Sequence, residues 1–168
     1  MSLMIKVKKL NEHARIPEYA DNGATGADLF STEDIMIPPH EWKMIGTGIA
    51  IAPNMFCDMQ IRPRSGLAAK YGITVLNSPG TIDSSYRGEL KVVLINHCGA
   101  PYHIAKGHRI AQLVALGNKS VTCNVYNERE MEYENIQIIE IERAQFVEEF
   151  QELDETDRNA GGFGSSGF

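Results

Sequence analysis

Apolar residues come along this chain in short runs, each closed by a turn signal. The runs are Lys6 to Leu10, Asp34 to Ile37, Lys43 to Ala52, Phe56 to Arg62, Glu89 to Asn96 and Ile110 to Leu116, a spacing that suits an all-β sandwich or barrel. Gly and Pro gather between them, as in Pro38-Pro39, Ala52-Pro53-Asn54, Ser78-Pro79-Gly80 and Gly99-Ala100-Pro101, where they set turns and end strands. That distribution disfavours a helical bundle. One segment reads differently. Ser65-Gly66-Leu67-Ala68-Ala69-Lys70-Tyr71-Gly72 has a serine at a possible N-cap, good helix formers behind it and a glycine at the stop, which predicts a short helix over 65–71. With Arg64 directly before it, the start of that helix is either an anion site or only a capped surface element.

Beyond Leu116 the chain turns acidic. Glu128, Glu130, Glu132, Glu134, Glu140, Glu142, Glu148 and Glu149 interleave with Tyr133, Ile136, Ile138, Ile139, Ile141, Phe146, Val147 and Phe150, a period that leaves strand and helix both open. The alternation from Glu128 to Glu134 suits a solvated hairpin, and no chemistry is assigned to it. From Arg158 to Phe168 the chain is glycine-rich, and fixing that much backbone freedom is too costly for a core element. The tail is therefore expected to be mobile, either as a plain linker or as an arm whose N–H groups, hydroxyls, arginine and aromatic ring wrap a phosphate chain and cover a base.

The length of 168 residues, with 43% hydrophobic and 23% charged, fits one soluble globular core rather than disorder. A formal charge of -6 argues against a protein that neutralises many backbone phosphates, so a nucleic-acid polymer is not the expected ligand. Nothing approaches the ~20 apolar residues that span a bilayer, and Met1 to Lys9 carries charges where a signal peptide is apolar. The expectation is no membrane contact and a cytoplasmic location. Cys57, Cys98 and Cys123 are odd in number and widely spaced, which predicts reduced, mostly buried thiols rather than disulfides or a zinc knuckle. His13, His40, His97, His103 and His108 lack metal-ligand spacing and are read as surface or structural.

Two further segments carry candidate chemistry. Ser78 to Leu90 reads as a hairpin entering a core strand, with Asp83 and Tyr86 placed to face one pocket as base and wall; an isolated Asp in a turn also has the simpler role of closing an Asx-turn. Ala24-Thr25-Gly26-Ala27-Asp28-Leu29-Phe30 is a small-residue turn followed by an acid entering an apolar strand, where Asp28 is either a site residue or only a turn cap.

Taken together, Ala24 to Phe30, Pro63-Arg64-Ser65-Gly66-Leu67-Ala68, Gly80 to Gly88, Arg109-Ile110-Ala111-Gln112-Leu113 and Arg158 to Gly167 resemble, in order, the five motifs of the trimeric deoxyuridine triphosphatases (dUTPases). The second, third and fifth stretches are specific; the other two gain weight from position. The resemblance covers nearly the whole chain. It implies an all-β, antiparallel jelly-roll-like barrel of the β-clip type, assembled as a homotrimer whose three active sites are each lined by more than one subunit. It divides the chain into a β domain over 1–157, with an acidic insert at about 117–143, and a flexible lid arm over 158–168.

The resemblance also implies an activity and its residues. The reaction is Mg²⁺-assisted hydrolysis of dUTP to dUMP and pyrophosphate by in-line water attack at the α-phosphorus, which keeps uracil out of DNA and supplies dUMP for thymidylate synthesis. Asp83 takes the proton of the attacking water; free aspartate, with a pKa near ~3.9, is in its basic form at neutral pH. Arg64, Ser65 and Gly66 cradle phosphate, and Gln112 adds a phosphate contact. Asp28 lies near a water on the metal. Asn77 and the backbone of Gly80, Thr81 and Ile82 read the uracil edge and leave little room for a methyl group; Lys91 lines the same pocket, and Tyr86 lies beneath the deoxyribose. Arg158, Gly164, Ser165 and Ser166 gather the γ-phosphate while Phe163 stacks on the base.

Two departures from the family pattern stand out. Asn159 replaces a usual glycine, and residues 113–157 form a longer stretch than compact members carry. The alternatives are a dCTP deaminase or bifunctional deaminase-dUTPase, which uses a glutamate on the strand where this chain has Lys91-Val92-Val93-Leu94-Ile95, and a nucleotide-gated interaction protein. In a eukaryotic cell the same reading would extend the location to the nucleus.

Overall fold

The structure is a computed structural model that describes residues 3–54, 57–127, 132–149, 151–156 and 160–161; over 117–127 and 132–143 it describes the backbone alone. In chain order the elements are β1 (Met4–Lys9), β2 (Glu18–Tyr19), β3 (Ala27–Phe30), β4 (Ile35–Ile37), β5 (Trp42–Gly46), β6 (Ile49–Pro53), β7 (Asp58–Arg62), α1 (Ser65–Tyr71), β8 (Ile73–Val75), β9 (Gly80–Ile82), β10 (Lys91–Asn96), β11 (Tyr102–Ile104), β12 (Arg109–Asn127), β13 (Glu132–Arg143) and β14 (Gln145–Glu148). The chain is all-β with a single short helix among the described residues, as the spacing of its apolar runs predicts.

Four sheets share one core. Their strand orders are β2-β3-β12-β7-β9, with β13 paired to β12, then β14-β1-β6, β5-β10-β8 and β11-β4. The pairing is antiparallel except for β1 with β14, which run parallel. Alternation decides which faces are buried: Ile5 and Val7 of β1, and Met59 and Ile61 of β7, point inward while their neighbours face out. All four residues of β3 are buried, so this strand is covered on both faces. The innermost side chains include Leu29, Ile45, Ile51, Met59, Ile73, Leu90 and Leu94, each at most 1% exposed. Taking large aliphatic side chains of this kind out of water contributes about 1.5–3 kcal/mol apiece before chain entropy is counted.

The sequence-based expectation for residues 78–90 needs correction. They do not form a hairpin. β9 pairs with β7 in the large sheet, whereas β10 pairs with β5 and β8 in another, so 83–90 is a crossover between sheets. Alternating polarity looks the same in a hairpin and in such an arch; the partners are chosen by what each strand can bury. The helix spans 65–71 as expected, but its N-cap is Arg64 rather than Ser65: no side chain caps it, and Leu67 N and Ala68 N donate to the Arg64 carbonyl. Its stop is as expected, with Gly72 at φ 61°, a left-handed conformation glycine adopts without strain. The acidic insert is a long two-stranded ribbon, registered from Leu116↔Arg143 to Asn127↔Glu132. Cys98 is exposed and Cys57 half-buried, so burial is not what the two thiols share. All five histidines are exposed.

Candidate active site

The crossover loop and the ends of β8, β9 and β10 enclose a cavity of about 210 Å³, lined by Ile61, Val75, Asn77, Gly80, Thr81, Ile82, Asp83, Tyr86, Lys91, Val92 and Val93. Seven residues assigned by resemblance to base reading, sugar packing and catalysis therefore meet around one hollow. It is smaller than sites for drug-sized ligands, which suits a base and sugar with the phosphates outside. Val75, Val92 and Ile61 form its apolar floor. Asn77 follows β8 just before a cis Ser78-Pro79 bond, and Gly80 opens β9 with Asn77 Nδ2 close to where its Cβ would stand.

Tyr86 is held rigidly. Its ring is 9% exposed, its hydroxyl donates to the Glu89 carbonyl at 2.9 Å, and its own N–H donates to the Asp83 carbonyl at 2.9 Å. Burial, with the Glu89 charge adding to it, pushes the phenol above the usual tyrosine range, so the hydroxyl stays protonated and remains a donor. Gly88 is required by contact: a Cβ there would stand 2.5 Å from the Tyr86 hydroxyl oxygen. Beneath the loop, Thr47 Oγ1 donates to the Leu90 carbonyl, Gly48 N donates to Glu89 Oε1 at 2.9 Å, and Glu89 Oε2 lies 3.6 Å from Lys91 Nζ. Glu89 thus steadies Lys91 from two positions along the strand.

A second cluster lies elsewhere. Asp28, 3% exposed, is paired through Oδ1 with Arg64 Nε and through Oδ2 with Arg109 Nη1, each at 3.2 Å, and Gln112 Nε2 donates to Oδ1 at 3.5 Å. Arg64 Nη1 also donates to the Arg109 carbonyl at 3.1 Å. Ser65 and Gly66 follow Arg64 directly at the exposed start of α1. Register explains the meeting: Gln112 pairs with Asp28 on one side and Arg62 on the other. Sequence reading gave Arg109 no role, although its place three residues before Gln112 puts it in the same motif; Glu89 carried no signal beyond alternation with Lys91.

The two clusters do not meet within one chain. The line Asp28–Gln112–Arg62 reaches β9 one residue before Gly80, and Asp83 lies beyond Ile82 at the other end of that strand. Measured along the sheet, three strand spacings sideways and four residues lengthwise lie between Asp28 and Asp83, a path of about 20 Å. Arg158, Phe163, Gly164, Ser165 and Ser166 lie outside the described residues.

A dUTPase family model matches residues 12–137. The chain belongs to the dUTPase family. It is 47% identical to the deoxyuridine 5'-triphosphate nucleotidohydrolase of Nautilia profundicola, across 98% of this chain and 99% of that protein, and 44% identical to that of Clostridioides difficile, across 98% of each. Among solved structures it is similar to a Staphylococcus bacteriophage 80alpha dUTPase variant with dUpNHpp, at 26% identity and a TM-score of 0.62 across 98% of this chain and 99% of that one. The EIAV dUTPase matches at 27% identity and a TM-score of 0.58 across 74% of this chain and 98% of its own. A phage phi11 dUTPase described with a structural Mg(II) ion, at 24% identity and a TM-score of 0.64 across 74% of this chain and 97% of its own, shares the fold. Within the dUTPase frame the cavity beside Asp83 is the candidate nucleoside site, and the Asp28 cluster the candidate phosphate site.

Proposed function

We propose that this dUTPase hydrolyses dUTP to dUMP and pyrophosphate, on a site that one chain supplies only in part. The observation that carries the reading is the convergence of Asn77, Gly80, Asp83 and Tyr86 on one cavity in a chain of this family. Uracil would enter between Asn77 and the Gly80–Ile82 backbone, with Tyr86 packed rigidly against the sugar and Lys91 on the pocket wall. Asp83, exposed at the rim, would take a proton from a water as its oxygen attacks the α-phosphorus; the bond to the bridging oxygen breaks, and pyrophosphate leaves with the electron pair. Arg64, Ser65, Gly66 and Gln112 would hold the phosphates, with Asp28 orienting Arg64 and Arg109. We extend this to the arm over 158–168, in which Arg158, Gly164, Ser165 and Ser166 would close on the γ-phosphate and Phe163 on the base.

The in-sheet path of about 20 Å between the two clusters supports a homotrimer in which Asp83 of one chain works beside Arg64 of another. The donor chemistry suits Mg²⁺ brought in by the substrate. Among the described residues no three His, Cys, Asp or Glu side chains gather, and the Asp28 oxygens already face guanidinium groups; Mg²⁺ keeps water and phosphate oxygens as ligands readily. When bound, it would neutralise triphosphate charge that Arg64 and Gln112 only partly offset. Among the described residues no helix is long and apolar enough to cross a membrane, and we assign the enzyme to the cytoplasm.

Pyrophosphate release measured across dUTP, dCTP, dTTP and UTP tests the reading. Release from dUTP alone is expected, and Asp83→Asn should lower turnover by about 10²–10⁴-fold, the usual worth of a positioned general base. Ammonia release from dCTP, or an Asp83→Asn variant as fast as the parent, would overturn it.

A further inference from the structure

The loop that carries Asp83 is fastened from behind by its own Arg87 and by the segment over 151–156. Arg87, whose side chain is only 10% exposed, donates from Nη1 to the Ser84 carbonyl at 2.7 Å and the Tyr86 carbonyl at 3.0 Å. Its Nε reaches the Asp154 carbonyl at 3.2 Å and its Nη2 the Asp154 carboxylate at 3.1 Å. Thr156 Oγ1 donates to the carbonyl of Ser85, the residue between. Three successive carbonyls of the loop are thus each taken by a donor from Arg87 or from the segment over 151–156. Ser84 is also bonded to Cys57, its hydroxyl accepting from Cys57 N at 3.3 Å.

That C-terminal segment is itself fixed to the core. β14 runs parallel to β1, and Lys6 and Lys9 pair with Glu149 at 2.9 Å and Glu148 at 3.1 Å, while Lys8 pairs with Glu152. The Arg87 hydrogen bond holds the Asp154 carboxyl below the usual carboxylate range, so the contact is charged at neutral pH. An exposed carboxylate pair by itself adds little stability. A nearly buried guanidinium that fixes two loop carbonyls and two acceptors on another segment instead restricts geometry.

We propose that Arg87, Asp154 and Thr156 are positioning residues: they form a latch through which the root of the C-terminal segment sets the placement of Asp83 and Tyr86. This rests on the dUTP-hydrolysis reading above. The latch touches neither cavity nor phosphate cluster; it acts through the carbonyls of 84–86, which fix the turn whose inner side presents Asp83 to the pocket. A small misplacement of a catalytic group costs far more in rate than in binding.

The test uses the full chain with Mg²⁺ and compares Asp154→Ala, Thr156→Val, Arg87→Lys and Asp154→Asn. Asp154→Ala combined with Thr156→Val should lower kcat for dUTP by roughly ten- to a hundredfold, leave KM within about twofold, and keep the thermal midpoint near that of the parent. Asp154→Asn, which retains an acceptor for Arg87, should recover most of the turnover, and Arg87→Lys with Asp154→Ala should lose little more than either alone, as expected of one unit. Parental kcat in the folded double variant, or strictly additive losses, would overturn the latch. If the parent itself released no pyrophosphate from dUTP, the functional reading would fall while the latch remained readable in amide exchange across 83–88: faster exchange in Asp154→Ala supports it, unchanged exchange refutes it.

Discussion

In the proposed site, Tyr86 would become selective by losing its freedom. An apolar surface alone rejects an added hydroxyl by only about 10²-fold, so sugar discrimination needs a wall that does not retreat. The wall here is pinned by its hydroxyl on the Glu89 carbonyl and by contact with the backbone of Gly88. Tyr86→Ala should therefore lower the preference for dUTP over UTP by about ten- to a hundredfold, chiefly by admitting UTP, as a comparison of kcat/KM for the two substrates would reveal. Equal selectivity in the variant would remove Tyr86 from that role. Asp28 gives the complementary lesson. Its sequence context, an acid entering an apolar strand, does not distinguish a turn cap from a site residue, whereas its burial against Arg64 and Arg109 shows that it orients cations.

Among the elements, β12 does two unrelated things. Residues 109–116 pair with β3 and β7 and belong to the core, while 117–127 pair only with β13 in the described backbone. A two-stranded ribbon is marginal by itself and is held here by its root. Replacing residues 117–142 with a tight Asn-Gly turn would keep Leu116 opposite Arg143 and leave every core pairing intact. The expected result is a thermal midpoint within a few degrees of the parent and dUTP turnover within about twofold, since the removed backbone pairs lie outside the strand pairing that places either cluster. A collapse of either quantity in calorimetry or pyrophosphate release would show that the ribbon belongs to the working core.

Across the whole molecule, the proposal turns on the distance between two clusters that one reaction would use together. If Asp83 of one copy works with Arg64 of another, two dead variants should repair each other. Asp83→Asn and Arg64→Ala, each inactive alone, should regain activity when unfolded, mixed and refolded together, reaching about a quarter of the parental sites at equal proportions if each site draws its two clusters from different chains. Persistent inactivity of refolded mixed trimers would place both groups in one chain's site.

The short apolar runs, the turn residues between them and the ordered motifs made the all-β class, the helix at 65–71 and the family legible from the amino-acid order, because these depend on local conformational preference and on patterns of neighbouring residues. The same information misassigned 78–90 as a hairpin, and it offered no hint that Arg87 holds Asp154 or that Arg109 shares Asp28 with Arg64. Those contacts join residues far apart in the chain, and no local rule encodes which strand will lie beside which. Only the tertiary packing of the sheets decided that the cavity beside Asp83 and the Asp28 cluster stand apart, because register across several strands, rather than the preference of any one of them, sets that distance.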